Sequence, residues 1–180
     1  MAKARLIPSR RIVVDTNIAR SASETTFPQS VACRQVLETI LTVCHRVVLS
    51  PSQKAEWQKH QSRFTLRWLD SMTARGKQFL LPDDPDTGLR DAIDRAAPLD
   101  WSREELLKDV YLLESALATD SIVVSLEKRA ANYYRPLVEK VPRIGPVAWI
   151  HPLEPVDHCR QWLAAGATVV PTLCLAKQGK

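Results

Sequence analysis

Short runs of consecutive apolar residues alternate along the chain with longer stretches in which apolar positions recur every three or four residues. Short runs rich in β-branched residues predict strands that are buried on both faces of a sheet. The predicted strands are Arg11–Val14, Arg46–Leu49, Ser121–Ser125 and Val147–Ile150. Because buried strands that alternate with helices are typical of a doubly wound, mainly parallel sheet, we expect a three-layer α/β/α sandwich.

The stretches between these strands have the apolar spacing of amphipathic helices. Helices are predicted over residues 30–45, 64–75, 89–96, 102 to about 118, and 155–165. Ser50, Pro51 and Gln53 form a capping box and predict that a further helix begins directly after the second strand. We interpret residues 1–166 as one domain and residues 167–180 as a C-terminal tail whose structure the sequence does not predict.

Acidic residues follow the ends of the predicted strands. Asp15 comes directly after the first strand, Glu127 just past the third, and Glu56 in the second helical turn after the second. Asp109 lies beside the apolar stripe of the helix that leads into the third strand. Because parallel strands end at the same edge of a sheet, we expect these carboxylates to converge there. Their repulsion would be relieved by a hard divalent cation such as Mg²⁺ or Mn²⁺, and such a site can hydrolyse phosphodiester bonds.

The order of these motifs resembles that of the PIN domain. The resemblance extends from about Arg11 to Glu127, and its motifs are Val13–Asn17, Ser50–Pro51 with Glu56, Lys108–Asp109 with Leu112, Leu113 and Ala116, and Ile122–Glu127. It implies a flavodoxin-like fold for the PIN-like nuclease domain. It also implies the activity of a metal-binding hydrolase, a Mg²⁺- or Mn²⁺-dependent endoribonuclease, as in the toxins of bacterial toxin–antitoxin pairs.

The resemblance also assigns roles to single residues. Asp15, Glu56 and Asp109 correspond to the first, second and third metal-binding, catalytic acids, and Glu127 occupies the fourth place, where the family more often has Asp or Asn. Asn17 would hold Asp15 or a metal-bound water, and Ser125 stands where Thr is usual. The implied partners are an RNA substrate and, for a toxin, an antitoxin protein. A homodimer is left open.

The net charge of +5 favours a polyanionic partner. Four basic residues could follow an RNA backbone, namely Lys54, Lys59, Arg63 and Arg67, of which the last three recur at four-residue spacing. The alternative is that they form the solvated face of a helix. For Glu56, likewise, the alternative is a solvated helix acid. Trp57 and Trp68 could stack on bases, although their spacing favours anchoring to the core.

The four cysteines lie far apart and mostly in apolar surroundings, which predicts buried thiols rather than a disulfide framework. Since no apolar run reaches membrane length or follows the basic start as in a secretion signal, we expect a cytoplasmic protein without a membrane partner. Two other functions stay open. One is a PIN-like scaffold that binds RNA or a protein without cutting. The other is a phosphate-transfer enzyme with Asp15 as nucleophile, although Asn17 replaces the second Asp of the haloacid-dehalogenase pattern.

Overall fold

The computed structural model describes residues 8–98, 101 and 103–176. Within these residues, parallel strands form one sheet in the order β3-β2-β1-β4-β5. The strands are β1 Arg11–Val14, β2 Arg46–Leu49, β3 Gln78–Leu80, β4 Ile122–Val124 and β5 Ala148–Ile150. The four predicted strands are confirmed as β1, β2, β4 and β5, and β3 is an edge strand that the sequence pattern did not predict.

Helices cover both faces of this sheet. One layer contains α1 (Thr16–Ser21), α2 (Pro28–Thr42), α3 (Pro51–His60), α4 (Arg63–Ala74) and α9 (His158–Ala164). The other contains α5 (Thr87–Ala96), α6 (Arg103–Lys108), α7 (Val110–Leu117), α8 (Lys128–Tyr134) and the 3-10 helices Arg135–Glu139 and Pro142–Ile144. The protein is therefore a three-layer α/β/α sandwich of the flavodoxin-like kind, which confirms the predicted fold class.

Side chains of the central strands point alternately into two separate cores. In β1, Ile12 and Val14 pack under the layer that contains α2 and α4, whereas Val13 packs under the layer that contains α5 and α7. All three side chains are fully or almost fully buried. A strand buried on both faces has no polar alternation, and this is why the apolar runs located the strands in the sequence.

The strand order reverses beside β1. The chain adds β2 and β3 on one side of β1 and then crosses over to add β4 and β5 on the other side. Val14 pairs with Val124, so the next residues, Asp15 and Ser125, leave the sheet side by side. In open α/β sheets, ligands bind outside the carboxyl ends of the strands at such a reversal. The fold therefore places Asp15 where a ligand crevice is expected.

The long helix predicted over residues 102 to 118 is two helices. It is interrupted at Asp109, whose φ of −102° and ψ of 6° lie outside the α-helical region. The backbone N–H of Leu112 donates to the carbonyl of Asp109 at 3.0 Å, and α7 starts from this turn. The predicted cap of this helix, Ser102, lies outside the described residues. The interruption moves Asp109 from the side of a helix to the start of one.

Residues 167–176 pack onto the sandwich. Ala148 in β5 forms an antiparallel bridge with Cys174, and the side chains of Ala167 and Leu175 are buried. All four cysteines are free thiols, three of them buried. None of the described helices combines the length and the apolar character needed to cross a membrane.

Candidate functional site

A cleft of about 520 Å³ opens where β1 and β4 end. Its walls include all four predicted acids: Asp15 after β1, Glu56 on α3, Asp109 between α6 and α7, and Glu127 before α8. Asn17 also lines the cleft. The tertiary structure thus brings to one concave surface the acids that the sequence motifs singled out.

Asp15 is held firmly at the base of this cleft, with only 6% of its surface exposed. Its Oδ2 accepts hydrogen bonds from Asn17 Nδ2 at 2.7 Å and from Ser125 Oγ at 2.6 Å. Its Oδ1 accepts a longer bond, of 3.4 Å, from the backbone N–H of Asn17 and so caps α1. Asn17 Oδ1 accepts from the backbone N–H of Leu126 at 3.1 Å. Asn17 therefore ties the end of β1 to the segment after β4 and fixes one oxygen of Asp15.

Ser125 connects Asp15 to Glu127. Its buried hydroxyl donates to Asp15 and accepts the backbone N–H of Glu127 at 2.9 Å. The Glu127 carboxylate accepts the backbone N–H of Arg129 at 3.0 Å, which caps α8. A single hydroxyl thus sets the positions of two acids relative to each other.

Three of the acids, Asp15, Asp109 and Glu127, form no ion pair with a described residue. Burial raises the pKa of Asp15, and the charge of Glu127 raises it further. Burial also raises the pKa of Asp109 to about 6, with added repulsion from Asp15 and Glu127 that neighbouring Lys108 only partly offsets. Carboxylates in the cleft therefore repel one another, and the neighbouring cations offset this repulsion only in part.

Tyr111 is a cleft residue that the sequence motifs did not identify. Burial raises the pKa of its phenol, and the charges of Asp15, Asp109 and Glu56 raise it further. Its position two residues after Asp109 was the feature of the sequence that could have identified it as a cleft residue. Thr16 and Lys108 belong to the sequence motifs but were assigned no role. The other lining residues that were not predicted as site residues are Arg20, Ser52, Gln53 and His60.

Glu56 differs from the other three acids because its partners are on its own helix. Its Oε1 lies 3.1 Å from Nε2 of His60, and its Oε2 lies 3.7 Å from Nζ of Lys59. Its side chain is 48% exposed. Glu56 thus lines the cleft but has the surroundings of a solvated helix acid.

The donors in the cleft are carboxylate, amide and hydroxyl oxygens, which fit Mg²⁺ or Mn²⁺ by their chemistry. Their spacing does not yet form a coordination sphere. Within the described part of the chain, no group of three or more His, Cys, Asp or Glu side chains is arranged to hold a metal ion.

The four basic residues predicted to follow RNA are divided between two helices, Lys54 and Lys59 on α3, and Arg63 and Arg67 on α4. They do not form one continuous helical stripe, because α3 ends at His60 and α4 begins after its own cap, and their role in RNA binding stays a prediction. Arg67 is also ion-paired with Glu24. The cations that line the cleft are instead Arg20 and Lys108.

Trp57 and Trp68 anchor the same two helices to the core. Both side chains are buried, and their ring centroids lie 6.2 Å apart. The indole N–H of Trp68 donates to the carbonyl of Leu37 at 2.6 Å. The anchoring interpretation is confirmed, and neither ring is exposed enough to stack on a base.

No family model matches the chain, and comparison with curated proteins and with solved structures also found no match. Membership of the PIN family therefore stays a prediction that rests on the sequence motifs. The structure adds the geometry of the acids to these motifs.

Proposed function

We propose that this protein is a Mg²⁺- or Mn²⁺-dependent endoribonuclease with a PIN-like domain. The observation that best supports this function is that Asp15, Asp109 and Glu127 line one cleft and that none of them forms an ion pair with a described residue. Besides burial, the charge of Glu127 raises the pKa of Asp15, and the charges of Asp15 and Glu127 raise the pKa of Asp109. A divalent cation with a preference for oxygen ligands would relieve that repulsion.

In this proposal Asp15, Asp109 and Glu127 would hold the cation, with Glu56, now in contact with His60, as a further candidate ligand. Asn17 and Ser125 keep Asp15 oriented through the hydrogen bonds to its Oδ2. A bound Mg²⁺ or Mn²⁺ would stabilise charge on the scissile phosphate and lower the pKa of an attacking water.

RNA is the proposed substrate because the chain carries a net charge of +5 and because Arg20 and Lys108 line the cleft walls. These two cations would contact phosphates of the strand beside the acids.

A toxin of a toxin–antitoxin pair is the narrower form of the proposal, and a small DNA-binding protein encoded directly upstream would support it. Four free thiols suit the reducing cytoplasm.

A PIN-like scaffold that binds RNA or a protein without cutting is the second candidate. Two observations favour it: the acids do not form a coordination group among the described residues, and Glu56 is engaged by His60. The two candidates differ in whether Mn²⁺ binds to the acids and whether RNA is then cleaved.

Titration of Mn²⁺ into the wild type, Asp109→Asn and Asp70→Asn, followed by incubation with a mixed RNA pool, tests the proposal. Asp70 is an exposed acid on α4 and does not line the cleft, so Asp70→Asn is the matched control. We expect the wild type and the control to bind Mn²⁺ and cut RNA, and Asp109→Asn to lose more than about 100-fold in cleavage. RNA binding without Mn²⁺ binding in all three proteins would contradict the nuclease and favour the scaffold.

A further inference from the structure

A second pocket, of about 410 Å³, lies at the same edge of the sheet, where β4 and β5 end. Ser125 lines this pocket and donates its hydroxyl proton to Asp15, which lines the acid cleft. Lys128, next to Glu127 of the cleft, also lines it. The two hollows are therefore neighbours along one edge, and a chain-like ligand in the cleft can extend into the pocket.

Arg135 lines the pocket as a partly buried cation without a counter-charge. Its Nη1 donates to Asn132 Oδ1 at 2.7 Å, whereas its Nε is buried and bonds to no other described residue. Among the described residues no carboxylate pairs with it. Burial lowers the pKa of this guanidinium. Since an unpaired buried charge is destabilising, an anion at this place would be favourable.

Trp149, another lining residue, provides a second unused donor. Its side chain is 7% exposed, and its Nε1 is buried without a hydrogen-bond partner in the described chain. A buried indole N–H normally has an acceptor. The single carboxylate that lines the pocket, Glu154, is already paired with Lys128. Two residues that line the pocket thus have buried donors without a hydrogen-bond partner, and one of them, Arg135, is a cation without an ion pair among the described residues.

We propose that this pocket binds a phosphate group of the RNA strand that occupies the acid cleft, with Arg135 as its cation and Trp149 as a further donor. The inference rests on the proposed nuclease function. A guanidinium edge matches two phosphate oxygens in a bidentate contact, which is stronger and more directional than a contact with a lysine. The contact would hold the strand in register with the acids.

The indole N–H resonance of Trp149 reports directly on this contact. Oligouridylate and inorganic phosphate are added separately to wild-type protein in EDTA, and Trp149→Phe identifies the resonance among those of the five tryptophans. We expect oligouridylate to shift this resonance, because the N–H gains an acceptor. Bound oligouridylate with no shift overturns the proposal, as does the absence of any binding. A shift that occurs with inorganic phosphate but not with oligouridylate also overturns it, because the pocket would then bind free phosphate and not the RNA strand.

The affinity for oligouridylate, measured by fluorescence anisotropy at several salt concentrations, tests the role of Arg135. Arg135→Gln should weaken binding about tenfold and reduce the slope of log affinity against log salt by about 0.7, as expected for one lost phosphate contact. Arg95→Gln removes the same charge from an exposed position on α5 and should change the slope far less. Arg135→Lys keeps the charge and should recover part of the affinity, which controls for misfolding of the Gln variant.

Equal affinities of Arg135→Gln and Arg95→Gln would overturn the pocket proposal. The nuclease is judged separately, by cleavage of RNA by the wild type with Mn²⁺. If the wild type cleaves RNA and Arg135→Gln binds it with unchanged affinity, only the pocket proposal is refuted. If RNA binding depends on Arg135 but no RNA is cleaved, the nuclease proposal is refuted and the proposal of an RNA-phosphate pocket stands.

Discussion

Replacement of Asp109 by Asn should make the metal-free protein more stable while it removes the proposed activity. Asp109 shares a cleft with Asp15 and Glu127 and lies where α6 ends and α7 begins. No described residue forms an ion pair with it, and burial, followed by repulsion from the other two acids, raises its pKa. Asn has nearly the same shape without the charge. The substitution therefore removes the repulsion and retains the packing.

The magnitude follows from the pKa of Asp109, which burial and neighbouring charges raise from 3.8 to about 6. The folded protein binds this proton more tightly than the unfolded chain. The ionised carboxylate therefore destabilises the fold, and the whole of this effect is present at pH values well above 6. The destabilisation declines as the pH falls and vanishes below 3.8. A pKa change of this size corresponds to at most ~3 kcal/mol at neutral pH. Solvent screening of the partly exposed side chain reduces the expected gain to ~1–2 kcal/mol.

Urea denaturation of both proteins in EDTA, at pH 7.5 and at pH 5, measures this gain. We expect Asp109→Asn to be more stable by ~1–2 kcal/mol at pH 7.5 and to keep about half of that advantage at pH 5. Because the two proteins are compared at the same pH, the contributions of titratable groups common to both cancel. One such group is His45, since burial lowers its pKa. Mn²⁺ at pH 7.5 should then stabilise the wild type alone, because it binds the folded acid cluster.

Equal or lower stability of Asp109→Asn at pH 7.5 would refute the reasoning, because it would mean that the carboxylate is compensated in the folded protein. A gain that stayed the same at pH 5 would refute it as well, since the effect would then come from packing and not from charge. Asp70→Asn, at an exposed position on α4, should change stability by no more than about 0.5 kcal/mol.

Three further substitutions test other parts of the structure by urea denaturation. Ser125→Ala removes the hydroxyl that donates to Asp15 and should cost ~1–2 kcal/mol, and wild-type stability would contradict the proposed link. Trp68→Ala empties a buried site and should cost ~3–5 kcal/mol, and a loss below 1 kcal/mol would contradict the anchoring role. Asp120→Ala leaves the backbone N–H and side chain of Arg11 without their acceptor and should cost ~1–2 kcal/mol, and an unchanged midpoint would show that water replaces the carboxylate.

Local patterns predicted most of the fold. The apolar runs located β1, β2, β4 and β5, because strands buried on both faces need no tertiary context to be recognised. The start of α3 was predicted because Ser50 and Gln53 cap one another across one helical turn. The apolar spacing also predicted α2, α4, α5 and α9, with ends that differ by at most three residues.

The strand β3 and the break at Asp109 were missed because no local pattern encodes them. The strand β3 has three residues, of which Leu80 is exposed, so it lacks both an apolar run and an alternation. Its pairing with β2 defines it. The break at Asp109 has neither Gly nor Pro to mark it, and the sequence therefore read as one long helix.

The sequence by itself determined the α/β sandwich and the four acids of the candidate site, since apolar runs mark strands that are buried on both faces and the acids follow the ends of those strands or lie beside an apolar helix stripe. Only the tertiary structure decided the strand order and which side chains share an electrostatic environment. It left Asp109 without an ion pair among the described residues, joined Glu56 to His60, split the basic residues between two helices, and placed Arg135 in a second pocket. The physical reason is that charge interactions depend on burial and on distances of a few ångström between residues far apart in the chain.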